Sequence, residues 1–443
     1  MREPDLSEFY ETIFIGAGIS CLAAARKLRG DYIILEAEDR PGGMCRTDKK
    51  DGFSFDRTGH LLHLTNPKTK KWLGQLLKQK MELRQRSSWI YSNGVYTRYP
   101  FQSHFYGLPA HVAAECLEGI FHAHYQRLGK KRPAGYRSQS FSRWVMERFG
   151  KGVAKHFLFP YNTKLWTVKP HVLTTEWLGR FVPRPDLHQV VMGAIADIPQ
   201  PEGYNSSFMY PKTGGIETLV KTLGAGLKIR TNARVTGIHL KNRELLLADG
   251  QRMKFGKMVS SAPLPSLVKM SSPVPDSIYK HSKSLRAASV YNLNLGIVDR
   301  NEKKHWVYVP ENNFSIYRFG YANNFSSSVA PPGHAAVYTE LSFRMGTRPD
   351  LKSLRKHVID DLKKIGVIGS RGDIVTEHVN LLEGAYAIFD RHRTPAVRAI
   401  LRFFRRRDIH PIGRWGTWSY GSMEDAILQG IEVANYIKGH PPS

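Results

Sequence analysis

The 443-residue sequence contains no long hydrophobic run and only three cysteines. Hydrophobic residues make up 41% of the chain, yet no apolar stretch approaches the roughly 18 residues that a membrane-spanning helix needs. The first ten residues, MREPDLSEFY, include no hydrophobic segment, so no secretory signal is expected. Cys21, Cys45 and Cys116 are odd in number and lack metal-ligand spacing, which is typical of reduced thiols. These absences predict a cytoplasmic protein.

Acidic residues are also scarce. The chain has 65 Lys and Arg against 38 Asp and Glu, a net charge of +27 that attracts nucleic acid, anionic lipid or phosphorylated ligands. No nucleic-acid-binding motif accompanies this charge, so no nucleic-acid partner is predicted. The densest basic run, Arg391 to Arg407, has apolar residues at helical spacing and predicts an amphipathic helix. Its basic side fits either a solvated face or a contact with a membrane surface or anionic partner.

The chain is too long for one ordinary core, and its length predicts two or three domains.

Near the start of the chain, the segment ETIFIGAGISCLAAARKL places a glycine-rich turn between an apolar strand and an alanine-rich helix. Such a turn usually binds a dinucleotide pyrophosphate at the helix N-terminus. Its third glycine is replaced by Cys21, so the loop alone leaves both ligand and chemistry open.

An acidic residue strengthens the dinucleotide hypothesis. A second strand is expected at Tyr32 to Leu35, and Glu36 follows it directly, 18 residues past Gly18. A carboxylate at this point is placed to accept a hydrogen bond from a ribose hydroxyl. The two features together predict a βαβ dinucleotide site.

The segment after Glu36 indicates which dinucleotide is bound. AEDRPGGMCRT resembles the Arg-x-Gly-Gly motif with which flavoproteins of the amine-oxidase and UDP-galactopyranose mutase superfamily contact the FAD diphosphate. TGGIETLVKTL, NARVTGI and MVSSAPL resemble later FAD-domain segments of the same superfamily. The resemblance implies an α/β fold with a Rossmann-like FAD-binding domain, an inserted helical domain and an antiparallel-sheet substrate domain. It implies the cofactor contacts Gly16, Gly18, Ser20, Glu36, Arg40, Gly42, Gly43, Met44, Val235, Arg414 and Met423.

Four further segments narrow the resemblance to the eukaryotic-type UDP-galactopyranose mutases. They are YTRYPFQSHFYGLP, FPYNTKLWTVKP, HWVYVPENNFSIYRFGYANNFS and GRWGTWSYGSMEDAILQGIEVA, and the similarity runs from about residue 10 to 437. The implied FAD-binding segments are 1–85, 201–265 and 409–443. The implied substrate sheet takes 86–100 and 266–408, and the helical domain with its mobile flap takes 101–200.

The same resemblance implies the substrate contacts. Uracil would lie against Tyr99, Phe101, Gln102 and Tyr308, with Asn162 and Trp166 on a nucleotide-facing helix. Arg318 would hold the diphosphate, and Tyr386 and Tyr420 would reach the phosphates. His60 would lie beside the flavin, and Arg180 on the flap would close over the diphosphate.

These assignments also agree with elementary chemistry. A planar base favours aromatic faces and one amide that reads its edge. A diphosphate favours a guanidinium fork, and Arg318 stands among apolar strand residues with no partner evident in the sequence. His60 and His63 are three residues apart, but no Cys or acidic cluster accompanies them, so no metal site is expected.

Several positions depart from the family pattern. By strict alignment Phe181 takes the place of the flap arginine, and Arg180 stands one residue early. Phe325 replaces a tyrosine downstream of Arg318, and YGSMED lacks the phosphate-side asparagine or aspartate. These changes leave the sugar, and the reaction itself, open.

The resemblance implies an FAD-dependent mutase that interconverts pyranose and furanose forms of a UDP-linked sugar. Reduced FAD would be the active form, its N5 attacking the anomeric carbon, with NAD(P)H a candidate reductant. The alternative is a flavin oxidase or dehydrogenase of the amine-oxidase or porphyrinogen-oxidase type, because the FAD motifs are shared by both classes.

Overall fold

A computed structural model of the protein describes residues 8–128, 140–179, 181–199 and 206–440. Arg180 therefore lies outside the described residues. No helix in these ranges is both long and apolar enough to cross a bilayer. The three cysteines are free and buried.

The first sheet contains the βαβ unit predicted from the glycine loop, and we call it the FAD-domain sheet after the domain that the resemblance implies. Its strand order is β13-β10-β11-β12-β1-β2-β9, and β19 pairs with β12. The pairs β1 with β2, β1 with β12, and β12 with β19 are parallel. The bounds of its strands are β1 (Glu8–Ile15), β2 (Tyr32–Leu35), β9 (Ile229–Arg230), β10 (Val235–His239), β11 (Glu244–Leu247), β12 (Arg252–Ser260), β13 (Ser271–Ser272) and β19 (Ile409–Pro411).

Helices cover both faces of this sheet, because β1 alternates its apolar side chains between them. Phe14 packs with one helix layer, whereas Ile13 and Ile15 pack with the other. The layer on the Phe14 side consists of α1 (Ile19–Lys27), α7 (Glu217–Gly224) and α13 (Met423–Gly439), with α2 (Pro67–Leu77) beside α7. The opposite layer consists of α8 (Leu264–Met270), α9 (Asp276–Ser284) and α11 (Arg393–Arg405). A short helix, α12 (Gly413–Gly416), precedes α13.

The second sheet has seven strands in the order β18-β14-β17-β16-β15-β6-β7. It is antiparallel except for the parallel pair of β6 and β15. Helix α10 (Leu351–Ile365) covers one face, with Val358, Ile359 and Leu362 in the shared core. The bounds are β6 (Ser88–Ser92), β7 (Val95–Arg98), β14 (Ala287–Val298), β15 (Trp306–Tyr308), β16 (Arg318–Tyr321), β17 (His334–Arg344) and β18 (Ile374–Ala387).

A helical region and two small ladders complete the described fold. The helices are α3 (Ala110–Arg127), α4 (Phe141–Val153), α5 (Phe159–Trp166) and α6 (Leu187–Ile195), with a π-helical turn at Ala154–Leu158. They share an aromatic core that includes Phe101, Phe141 and Trp166. The ladders pair β3 (Thr47–Lys50) with β4 (Phe53–Asp56), and β5 (Met81–Gln85) with β8 (Ser207–Pro211).

The predicted α/β class is confirmed, but two segment boundaries differ from the expected ones. The second FAD segment was expected to end at 265, yet α8, β13 and α9 extend it to Ser284. The substrate sheet was expected to run to 408, yet it ends at Ala387, and α11 packs on the FAD-domain sheet. In both cases the apolar side of a helix is buried against strands that lie far away in sequence.

Candidate functional site

One continuous cavity of about 870 Å³ extends from the glycine loop of the first sheet to strands β15 and β16 of the second. A volume of this size is at the upper end for small-molecule and cofactor sites. Most of the predicted site residues line it. They are Gly16, Gly18, Ser20, Glu36, Gly42, Gly43, Met44, His60, Tyr99, Val235, Tyr308, Arg318, Tyr386, Arg414, Tyr420 and Met423.

The glycine-loop end of the cavity is shaped by backbone that only glycine accommodates. Gly16 has a φ of +91°, and a Cβ there would lie 2.5 Å from the hydroxyl oxygen of Ser261. Gly413, with a φ of +74°, would place a Cβ 2.6 Å from the hydroxyl oxygen of Ser20. Helix α1 begins at Ile19, so its unpaired N–H groups face the cavity, as an anionic diphosphate requires.

Glu36 lines the same end of the cavity as the glycine loop. Its carboxylate is buried and accepts hydrogen bonds from the backbone N–H of Ala17 at 2.7 Å and of Glu38 at 3.0 Å. It therefore fixes the glycine loop while presenting an acceptor to the cavity. The loop, the helix N-terminus and this carboxylate together fit the diphosphate and ribose of a dinucleotide.

The next part of the cavity is formed where the two sheets meet. Met44 packs with Val290 and Leu382 of the second sheet. Arg414 donates to the carbonyl oxygen of Ala385 from Nε at 3.1 Å and from Nη2 at 2.9 Å. Helix α13 begins at Met423, at the cavity wall, so the positive end of its dipole lies beside a bound group.

Arg40 is the exception among the predicted cofactor contacts. It does not line the cavity. Its guanidinium instead lies 2.5 Å from the carboxylate of Asp48 and 3.8 Å from that of Glu217. This arrangement ties the Gly-Gly segment to β3 and α7, so Arg40 acts here through the backbone that it holds in place.

At the far end, three neighbouring strands place three polar side chains in one row. Tyr308 of β15 pairs with Arg318 of β16, and Arg318 pairs with Glu340 of β17. The carboxylate of Glu340 is fully buried and accepts from Arg318 Nη2 at 2.7 Å and 2.8 Å. Arg318 was expected to lack a partner, which is wrong: it lies in a buried ion pair and remains partly exposed at the cavity.

Aromatic rings enclose this row. Tyr99 and Tyr308 are stacked with centroids 5.0 Å apart. Tyr386 and Tyr420 lie 6.1 Å apart, and the guanidinium of Arg414 is 4.9 Å from the first ring and 5.0 Å from the second. The far end thus combines flat apolar surfaces with cationic and phenolic donors.

Four residues that were predicted to contact the substrate lie behind the cavity wall. Phe101 is fully buried and stacks on Phe157, and the amide of Gln102 donates to the carbonyl oxygen of Pro183 at 3.0 Å. Trp166 and Asn162 are bonded to each other, Nε1 to Oδ1 at 3.1 Å. None of them lines the cavity. Trp166 supports it from behind, because its ring packs edge-on against Tyr386 and Tyr420.

Comparison with known protein families identifies the family of this chain. Residues 19–438 match the model described as flavin containing amine oxidoreductase. The chain belongs to this family. Family membership implies FAD as the cofactor, and the glycine loop, Glu36 and the N-terminus of α1 fit it.

Solved structures of this fold cover nearly the whole chain. A reduced UDP-galactopyranose mutase is 23% identical with a TM-score of 0.89, over 97% of this chain and 96% of that one. A candidate protoporphyrinogen oxidase from Exiguobacterium sp. 255-15 is 16% identical with a TM-score of 0.73, over 98% and 99%. A putrescine oxidase is 17% identical with a TM-score of 0.66, over 98% and 100%.

Sequence reasoning missed several residues that line the cavity. Arg86, Trp306 and Tyr338 line it, and the guanidinium of Arg86 lies 5.2 Å from the Tyr99 ring centroid. Tyr338 is signalled by alternation along β17, which places it two residues from Glu340 on the same face. Phe181 also lines the cavity and packs 4.7 Å from the ring of Tyr420.

We expect the Glu36 carboxylate to contribute to the affinity for FAD. Glu36→Ala removes a ribose acceptor and leaves the Ala17 N–H unpaired, so FAD binding should weaken about tenfold to a hundredfold. Flavin absorbance per protein after gel filtration measures the loss. Glu38→Ala is the matched control, because that carboxylate pairs with Arg46 and does not line the cavity. Equal flavin loss in both variants would contradict the assignment.

His60 lies in the cavity wall as a neutral imidazole. Burial lowers the pKa of His60 to about 4; Arg414 and Arg318 act in the same direction, and Glu340 opposes them. Burial likewise lowers the pKa values of His305 and His410 to about 4.

These histidines give stability a predictable pH dependence. Between about pH 6.5 and 4 the unfolded chain binds protons that the folded protein does not, so the free energy of unfolding should fall as pH falls. Burial raises the pKa of Asp56 to about 6, which offsets part of this loss. Urea denaturation from pH 7.5 to 5 measures the slope. His60→Gln should flatten it, and an unchanged slope in that variant would contradict the neutral assignment.

Proposed function

We propose that this protein is an FAD-dependent mutase that interconverts the pyranose and furanose forms of a UDP-linked sugar. The observation that carries the proposal is the charge of the cavity. Its described lining residues include the cations Arg86, Arg234, Lys269, Arg318 and Arg414. Glu36, at the dinucleotide end, is the one acidic residue among them.

This charge favours an anionic substrate over an amine. A protonated amine would meet several guanidinium groups, and the carboxylate of Glu340 is buried and already paired with Arg318. A nucleoside diphosphate supplies the opposite pattern: a flat base and two phosphates. Electrostatic complementarity of this kind steers a ligand toward its site and rejects ligands of the wrong charge.

Each group of side chains at the β15 and β16 end of the cavity has a role in this function. The stacked Tyr99 and Tyr308 offer their outer faces to the base. Arg318, held rigid by Glu340, presents its remaining donors to the diphosphate. Tyr386 and Tyr420 supply phenol donors at the phosphates. These contacts would hold the sugar against the cofactor and retain the nucleotide while the ring opens and recloses.

Bound reduced FAD would supply the nucleophile for the sugar carbon. His60, neutral in this wall, neither adds charge there nor competes with Arg318 for a phosphate. Phe101, Gln102, Asn162 and Trp166 then act by supporting the wall, and Arg180 remains a proposed flap contact outside the described residues. The fold likeness to a UDP-galactopyranose mutase supports the same reaction.

The oxidase alternative rests on family membership and on Phe181, an aromatic residue at the position where a mutase flap arginine is expected. A cationic, aromatic cavity also suits a flat substrate that carries carboxylates. The two reactions differ in their electron balance: the mutase is redox-neutral, whereas an oxidase must pass electrons to an acceptor in each turnover.

An anaerobic incubation distinguishes the mutase reaction from the oxidase reaction. Dithionite-reduced protein mixed with UDP-galactose should yield a ring isomer, detected by chromatography and NMR, without stoichiometric consumption of reductant. Oxidised protein should yield none. The same assay with GDP- and dTDP-sugars tests the uracil preference, and heat-denatured protein is the control. Bleaching of the oxidised flavin by a substrate, with no isomer formed, would favour the oxidase.

A further inference from the structure

The two helix layers of the FAD-domain sheet differ in net charge. The layer of α8, α9 and α11 contains one acidic residue, Asp276. Its cations are Lys269, Lys280, Lys283, Arg393, Arg398, Arg402 and Arg405. In the opposite layer, α1, α7 and α13 are balanced, with Arg26, Lys27, Lys221 and Lys438 against Glu217, Glu424, Asp425 and Glu432, and α2 adds Lys68, Lys70 and Lys71. The layer of α8, α9 and α11 therefore has the larger net positive charge.

Four arginines within α11 or directly after it are exposed. Arg398, Arg402, Arg405 and Arg406 are all exposed, and none has an ion pair with a described residue. Arg398, Arg402 and Arg406 follow one another at four-residue intervals, about 6 Å apart along the helix. Together with Lys280 and Lys283 of the adjacent α9, these four arginines define the α9–α11 basic face.

We propose that the α9–α11 basic face binds an anionic membrane surface peripherally. Clusters of four to eight Lys and Arg residues on a helix are attracted to acidic lipid headgroups. The apolar side of α11, with Ile400, Phe403 and Phe404, is already buried against the sheet. The contact is therefore electrostatic and reversible, without insertion of the helix into the bilayer.

The shape of the face favours lipid over nucleic acid. A major groove admits one projecting helix, whereas α11 packs beside α9 and against the sheet and does not project. Single-stranded nucleic acid requires free aromatic platforms. Tyr279 is the exposed aromatic of the described α9–α11 pair, and the ammonium of Lys283 already lies 4.9 Å from its ring centroid. A charged lipid surface needs neither feature.

Helix α11 begins beside the rim of the cavity. In the first turn of α11, Thr394 is hydrogen-bonded to Glu176, and Arg393 donates to the carbonyl oxygen of Trp418, two residues before Tyr420. A protein held by this face would therefore have its cavity rim close to the lipid surface. The inference does not depend on the mutase assignment, because no residue of the α9–α11 basic face lines the cavity.

Vesicle sedimentation tests the proposal. Full-length protein should bind vesicles of phosphatidylglycerol and phosphatidylcholine in equal parts at low salt, lose most binding at 0.5 M salt, and ignore pure phosphatidylcholine. R398Q/R402Q/R405Q/R406Q should lower the partition coefficient by roughly 600-fold, since each of the four charges contributes about fivefold. Replacing the same four arginines by lysine should retain most binding, because the contact requires charge and not a guanidinium fork.

The matched control removes the same charge elsewhere. K352Q/K356Q/K363Q/K364Q changes four exposed cations of α10, which covers the other sheet, and should bind vesicles nearly as wild type does. Circular dichroism melting verifies that each variant is folded. Equal losses in the α10 and α11 variants would overturn the proposal by showing that net charge alone acts. Binding to duplex or single-stranded oligonucleotides without binding to vesicles at the same ionic strength would overturn it in favour of nucleic acid.

Discussion

Arg318→Met should destabilise the folded protein by about 3–5 kcal/mol, because it leaves the fully buried carboxylate of Glu340 without its cation. Chemical denaturation followed by tryptophan fluorescence measures the change. Arg355→Met is the matched control, because Arg355 of α10 pairs with Glu377 of β18 in the same sheet. Arg355 pairs with Glu377, but both side chains are partly exposed, so its loss should cost about 1 kcal/mol or less. Equal destabilisation by both substitutions would contradict the expectation that losing one partner of a buried ion pair costs more stability than losing one partner of an exposed pair.

A double variant separates the structural role of Arg318 from its proposed role in binding. R318M/E340Q removes both charges and keeps an acceptor for the hydroxyl of Tyr317, so most of the stability should return. If the guanidinium holds the diphosphate, UDP affinity should stay about tenfold to a hundredfold below wild type. Isothermal titration measures this, and flavin content should be unchanged. Wild-type UDP affinity in the double variant would remove Arg318 from the binding site.

The regions that sequence reasoning predicted well are those governed by local patterns. The second strand was expected at Tyr32 to Leu35 and lies there, and α13 begins at the expected Met423. The glycine loop, alanine-rich α1 and Glu36 form one local unit, so their spacing alone predicts the dinucleotide end of the cavity. The basic helix was also expected, because its apolar positions follow the helical period.

The features that were missed depend on pairing between distant segments. Glu340 is 22 residues from Arg318, and only the register of β16 with β17 brings them opposite each other. Arg40 was expected at the cofactor, but the proximity of Asp48 and Glu217 turns its guanidinium away from the cavity. Gln102 was expected to face a base, whereas its amide meets the backbone of Pro183. No local pattern specifies such contacts, because each depends on which elements pack together.

Gly430 shows how a packing contact that sequence reasoning missed supports the cofactor loop. It lies on α13, where that helix crosses α1. A Cβ at this position would clash with the carbonyl oxygen of Ser20, and it would lie only 3.0 Å from the backbone N of Ala24. Both obstacles are backbone atoms, so α1 itself must move. Ser20 lines the cavity, and its displacement would disturb the helix N-terminus that faces the cofactor.

Gly430→Ala should therefore destabilise the protein by about 1–3 kcal/mol and lower its flavin content, despite the better helix propensity of alanine. Denaturation curves and flavin absorbance per protein measure the two effects. Gly74→Ala on α2 is the matched control, because a Cβ there has no atom within 4 Å. It should stabilise the protein by up to about 1 kcal/mol and leave the flavin content unchanged. If Gly430→Ala behaved like Gly74→Ala, close contact between α1 and α13 would not be what positions the cofactor loop.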